Sequence, residues 1–109
     1  ATACIVSSIR FKENIEPLRD SLEKVLKLNP VGFTYKPELD HSVVKGKKRI
    51  GLIAEEMLLV EPRLVGYESD EATPRTIDYE SFTALLTGAV QEQQKKIEEL
   101  EERIKQLEE

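Results

Sequence analysis

Apolar residues follow three different periods along this chain. Leu18, Leu22, Val25 and Leu26 recur at helical spacing. Asn14 is the expected N-cap of that helix, with Pro17 tolerated in its first turn. Asn29-Pro30 ends it. Val31, Phe33 and Tyr35 then alternate with Gly32, Thr34 and Lys36, the period-two pattern of a half-buried strand. Residues 37–47 read as a loop, and Arg49–Ile53 as a second strand. Ala54–Val60 predicts a short helix stopped by Glu61-Pro62, with Ile53, Met57 and Val60 on its core face. Leu64–Tyr67 predicts a third strand, and residues 68–75 a polar turn containing Pro74. Residues 2–9 are small or β-branched and read as extended.

The third period is a heptad. Asp78 is the expected N-cap of a last helix from Tyr79 to Glu109, which contains no Pro and only Gly88 as a glycine. At 1.5 Å per residue such a helix is ~45 Å long, too long to lie against so small a body. With Val90, Ile97 and Ile104 at position a, Leu86, Gln93, Leu100 and Leu107 fall at d. All of these but Gln93 are apolar, and their neighbours are charged or amide-bearing. A lone helix cannot bury so narrow a stripe, so partner helices are expected. Lys96 and Arg103 fall at g, Glu101 and Glu108 at the following e, so opposite charges meet in a parallel coil. Ile at a with Leu at d is a dimer pattern. Gln93 in the core, and the Arg103-Ile-Lys-Gln-Leu-Glu108 run that resembles a trimer signature, favour three strands. The expected architecture is α+β: a small body over 7–79 with short strands and two short helices, then a C-terminal helix over 80–109 forming a parallel trimeric coiled coil.

Composition narrows the function. The body is roughly eighty residues, small enough to be marginal alone. Net charge is −5, with 34% charged residues, which argues against a nucleic-acid surface. The basic cluster Lys45, Lys47, Lys48 and Arg49 reads as a solvated strand edge. No apolar run approaches the ~20 residues of a membrane span. One cysteine, Cys4, and one histidine, His41, provide neither a disulfide framework nor a zinc site, so no metal or cofactor is expected. Glu55 and Glu56 are adjacent on a helix and point about 100° apart. They form no acid/base pair, and Glu56 reads as a structural carboxylate. The chain starts without Met on a short apolar stretch, which suggests the end piece of a longer polypeptide with residues 1–6 closing the upstream part.

Four segments carry a family resemblance. Ser7-Ser-Ile-Arg-Phe-Lys-Glu-Asn-Ile15 resembles the Ser-Asp-x-Arg-x-Lys-x-x-Ile opening of the endosialidase-type intramolecular chaperones, with Ser8 in place of the Asp. These are self-cleaving C-terminal domains of phage tail spikes and tail fibres, with a related domain in the myelin regulatory factor. Phe33-Thr-Tyr-Lys36 is similar to the family's aromatic strand. Gly51-Leu-Ile-Ala-Glu-Glu-Met57 with Glu61-Pro-Arg-Leu-Val65 resembles its Gly-x-Ile-Ala-Gln-Glu-Val…Pro-x-x-Val stretch. Thr76-Ile-Asp-Tyr79, leading to Leu85-Leu86 and Gln91-Glu-Gln-Gln94, resembles its approach to the final helix.

The resemblance implies a homotrimer that aligns the upstream fibre or spike of the same polypeptide, then cuts itself off. It places the protein in a virion tail precursor made in the host cytoplasm. It also implies a Ser–Lys dyad of Ser7 and Lys12 acting as a single-turnover serine endopeptidase on the Val6–Ser7 bond. A serine needs a base to become a useful nucleophile, and a desolvated lysine can serve, because burial disfavours its ammonium form. Ile9, Phe11 and Ile15 are the expected source of that desolvation, with a neighbouring chain contributing. The alternatives are a non-cleaving trimerisation domain and a binding module whose coil recruits a partner.

Overall fold

The computed structural model describes residues 6–109, so the Cys4 side of the extended segment lies outside the described residues. Among the described residues there are three helices and two hairpins: α1 (Ser21–Leu26), β1 (Val31–Phe33), β2 (Arg49–Gly51), α2 (Ala54–Val60), β3 (Val65–Tyr67), β4 (Pro74–Ile77) and α3 (Tyr79–Glu108). Single 3-10 turns cover Ile9–Phe11, Pro37–Leu39 and Pro62–Leu64.

β1 and β2 pair antiparallel with Val31 opposite Gly51 and Phe33 opposite Arg49. β3 and β4 pair antiparallel, Val65 opposite Ile77, with a register irregularity at Gly66/Tyr67. Two-stranded hairpins are marginal in water, so each relies on helices packed beside it. Met57 of α2 is the fully buried centre, surrounded by Leu28, Leu64, Val65 and Leu85. Val25, Leu52, Leu58, Val60, Ile77 and Phe82 close the core at its edges.

Several local expectations need correction. The first helix does not start at Asn14. Asn14 and Asp20 both adopt left-handed backbone, with φ of 54° and 58°, and Pro17 drives the residue before it out of helical geometry. Residues 12–20 therefore run without regular structure, and α1 begins only at Ser21. Leu26 is 72% exposed, and Leu28, beyond the helix, enters the core instead. Ile9, the last residue of the segment expected to be extended, instead opens the 3-10 turn Ile9–Phe11. The polar turn is shorter than expected. Asp70 accepts hydrogen bonds from the Ala72 and Thr73 amides at 2.9 Å, and the chain returns as β4. Pro74 opens that strand, a position where a missing N–H is tolerated. Ile53 faces outward and is not part of the core around Met57.

α3 begins where expected: the Asp78 carboxylate accepts from the Ser81 amide at 3.1 Å and from its hydroxyl at 2.6 Å. Its thirty residues, ~45 Å of helix, supply much of the molecule's 64 Å long dimension. Among the described residues no helix is long and apolar enough to cross a membrane.

Candidate functional site

Ser7 and Lys12 lie on an arm, residues 6–20, that precedes the packed body. Five extended residues would separate their backbones by roughly 17 Å. The 3-10 turn Ile9–Phe11 shortens that path: the Phe11 amide donates to the Ser8 carbonyl at 3.0 Å, and the Lys12 amide to the Ile9 carbonyl at 3.1 Å. The turn carries the Lys12 side chain back over the preceding strand of chain. Its Nζ donates to Ser7 Oγ at 3.2 Å. Arg10 stacks its guanidinium over the Phe11 ring, 4.4 Å from the centroid, which braces the outside of the turn.

Both side chains of this pair are open to solvent within one chain. Val6, Ile9, Phe11 and Ile15 are exposed as well. The expectation that Ile9, Phe11 and Ile15 enclose Lys12 is therefore not met inside a single copy. They project from the arm because residues 12–20 hold it away from the core rather than folding it as helix against α3.

The family model described as chaperone of endosialidase matches residues 7–66, more than half of the chain, and begins at Ser7. This chain belongs to the chaperone-of-endosialidase family. Its role as an intramolecular chaperone follows from that membership, and the family is a peptidase family. No curated protein matches the chain.

In this chaperone domain the arm is tied to the body at α1. The Leu22 amide donates to Glu92 Oε2 of α3 at 2.9 Å. Asp20, at the N-cap position, makes no side-chain capping bond, so a carboxylate seventy residues away caps the helix instead. Ser21 is fully buried and lies over Gly88, where an added Cβ would meet its Oγ at 2.5 Å. Gly88 thus sets how closely α1 approaches α3.

Two further carboxylates organise the body. Glu61 is buried and accepts from Lys24 Nζ at 2.9 Å and from Arg63 Nε and Nη2 at 2.7 and 2.8 Å. The Arg63 hydrogen bonds, followed by Lys24, outweigh burial and hold its carboxyl down at about 2. Asp40, also buried, accepts from the Ser42 and Gly46 amides at 2.9 and 3.0 Å, while Lys45 Nζ donates to its carbonyl. These contacts shape the loop between β1 and β2, and the Ser42 bonds foremost hold the Asp40 carboxyl at about 2. Of the residues flagged earlier, Glu56 accepts from Asn29 Nδ2 at 3.0 Å, a structural role, and His41 is an exposed loop residue.

Sequence patterns alone did not reveal the bonding roles of the Glu92, Glu61 and Asp40 carboxylates. Asp40-His-Ser42 carries an Asx-turn signal that could have been read, and Gly88 stands out as the one glycine of α3. The segment around Glu92 carries part of the family resemblance, but nothing in it marks the bond to Leu22, because that partner lies on another element.

The heptad positions Leu86, Val90, Gln93, Ile97, Leu100, Ile104 and Leu107 are all solvent-facing in one chain. The body packs on a different face of α3, through Phe82, Leu85 and Ala89. At about 100° per residue, that face and the heptad stripe are turned by roughly 60–75° around the helix axis. No α3 residue beyond Glu92 is even partly buried.

Proposed function

We propose that this chain trimerises and aligns the fibrous polypeptide preceding it, a phage tail fibre or tail spike, and then releases itself by cutting the Val6–Ser7 bond. The observation that carries the reading is the 3.2 Å contact between Lys12 Nζ and Ser7 Oγ at the first residue of the family match.

The chemistry is a single turnover. Neutral Lys12 Nζ takes the Ser7 hydroxyl proton as Oγ attacks the Val6 carbonyl carbon. The tetrahedral alkoxide collapses, the Val6 C–Ser7 N bond breaks, and Lys12 returns the proton to the departing amine. Val6 is then esterified to Ser7 Oγ. Water hydrolyses that ester to a Val6 carboxylate and restores the Ser7 hydroxyl. Attack by Ser7 of a neighbouring copy satisfies the same balance. Lysine acts as a base only when its water is removed, and one chain leaves Lys12 open. Cover supplied by neighbouring copies makes cleavage depend on assembly, so only correctly aligned fibres are cut.

Assembly is proposed to run through α3. Leu86, Val90, Ile97, Leu100, Ile104 and Leu107 form the core of a parallel three-stranded coil, with Gln93 as its polar layer. Alignment of three chains matters because long β-structured stalks have high contact order and misregister easily. After release the fibre has lost the domain that guided it and stays trapped in its folded form. This takes place in a tail precursor in the host cytoplasm.

The test is a longer polypeptide carrying native sequence ahead of Ala1, followed by mass spectrometry. Wild type is expected to release a fragment whose new N-terminus is Ser7. Ser7→Ala and Lys12→Ala each abolish release and leave the trimer intact. Continued cleavage at Val6–Ser7 in both variants rules the dyad out. Ser8, which stands where the family pattern has Asp and makes no side-chain capping bond, favours a second reading: a trimerisation domain that does not cut. That reading predicts a trimer whose longer polypeptide stays whole on prolonged incubation.

A further inference from the structure

The apolar stripe of α3 continues past the first heptad into the body. Tyr79 lies seven residues before Leu86 and so occupies the same heptad position. Both residues line an open groove of about 390 Å³, together with Val25, Leu28, Leu52 and Phe82. No charged side chain lines it. Its outer wall is Ile50 of β2, which is 90% exposed. The register explains that exposure: Ile50 stands opposite Gly32, so no cross-strand side chain covers it. The strand itself is held over α3, because the Leu52 amide donates to Tyr79 Oη at 3.0 Å and Gly51 lies close against Tyr79 and Phe33.

We infer that this groove is a second contact between copies of the chain, with Ile50 of one copy seated against the groove of the next. The inference rests on the coiled-coil reading and extends it from the tail into the globular body. Three features identify the occupant as another copy. The groove shares Leu86 and Tyr79 with the heptad side of α3, and runs from there to Phe82, Val25 and Leu28 at the edge of the chain's own core. A parallel coil in register brings three copies of this level to the same height around one axis, so each groove faces a neighbour. The uncharged lining matches the uncharged Ile50 rib and offers nothing to pair with a charged peptide. Heterologous contacts of this kind close into a ring under threefold symmetry.

The deciding measurement is sedimentation equilibrium of the full chain, comparing wild type with Ile50→Glu and Leu59→Glu. Leu59 is the control: it is 87% exposed on α2 and does not line the groove. Neither substitution removes a buried contact within one chain, so circular dichroism of the body is expected to stay unchanged. Ile50→Glu is expected to weaken trimer formation by about tenfold or more, and Leu59→Glu to leave it within about twofold, the small effect usual for a surface change outside a contact. Ile50→Ala, which preserves the strand, weakens it in the same direction by a smaller factor. A wild-type trimer unaffected by either Ile50 substitution overturns the groove contact and leaves the coil standing. Equal weakening by Ile50→Glu and Leu59→Glu also overturns it, since added charge alone then accounts for the change. A wild-type chain that stays monomeric at high micromolar concentration overturns the coil as well.

Discussion

Glu61 shows how one side chain can join distant parts of a small body. It sits at the end of α2, where Glu61-Pro62 stops the helix, and its amide still bonds back to the Met57 carbonyl at 2.7 Å. Its carboxylate meanwhile ties Lys24 of α1 and Arg63 of the following turn. The folded carboxyl titrates at about 2 instead of its ordinary 4.5. A lowered value means stabilisation that is complete above the unfolded value and is lost as pH falls through the folded one. The body is therefore expected to lose stability from about pH 5 down to about 2, with Asp40, also held at about 2, contributing over its own range. Glu61→Gln is expected to cost about 1.5–3 kcal/mol at neutral pH, the range for hydrogen bonds to charged groups. It should also flatten the acid limb of a plot of denaturation midpoint against pH. An unchanged acid limb in that variant places the pH dependence elsewhere. The helix stop at this residue was legible in the chain; its bond to Lys24, across 37 positions, was not.

At the scale of elements, α1 depends on α3 for its existence. Six residues are too few for a helix to hold alone, and the Asp20 side chain does not cap it. The cap comes from Glu92 and the close approach from Gly88. Glu92→Ala is expected to cost about 0.5–2 kcal/mol, as for loss of an N-cap. Gly88→Ala forces a methyl toward Ser21 Oγ and is expected to cost about 1–3 kcal/mol through overpacking. Chemical denaturation measures both. Hydrogen exchange should locate the Glu92→Ala loss in α1 and leave the far end of α3 untouched; uniform loss along α3 contradicts the capping role. Because the arm with Ser7 and Lys12 joins the body at this point, Glu92 also anchors the segment proposed to be cut.

For the whole molecule, the governing feature is that α3 has two apolar faces and the chain can cover only one. Phe82, Leu85 and Ala89 meet the core, while the heptad residues face solvent. Beyond Glu92 the helix has no buried residue, so substitutions there report on assembly alone. Ile97→Asp and Ile104→Asp are each expected to remove about 1.5–3 kcal/mol of apolar burial per copy from the trimer. They should turn the chain into a monomer by light scattering while the near-ultraviolet signal of the body stays as it was. A trimer that survives both substitutions excludes the heptad stripe as its core.

Sequence by itself determined the features whose causes lie within a few residues: the heptad stripe, the Asp78 cap, the Met57 centre of α2, and the serine and lysine five positions apart. Such features depend on local spacing and on groups that meet within one or two turns. The late start of α1, strand β4, the outward face of Ile53, the Glu92 cap and the Ile50 groove were decided only by tertiary structure. Each depends on a partner brought from another element: β4 exists because β3 lies beside it, and Ile50 is bare because Gly32 stands opposite. The openness of Ser7 and Lys12 belongs with these. The 3-10 turn brings the two side chains together, but what covers them depends on where the rest of the assembly lies.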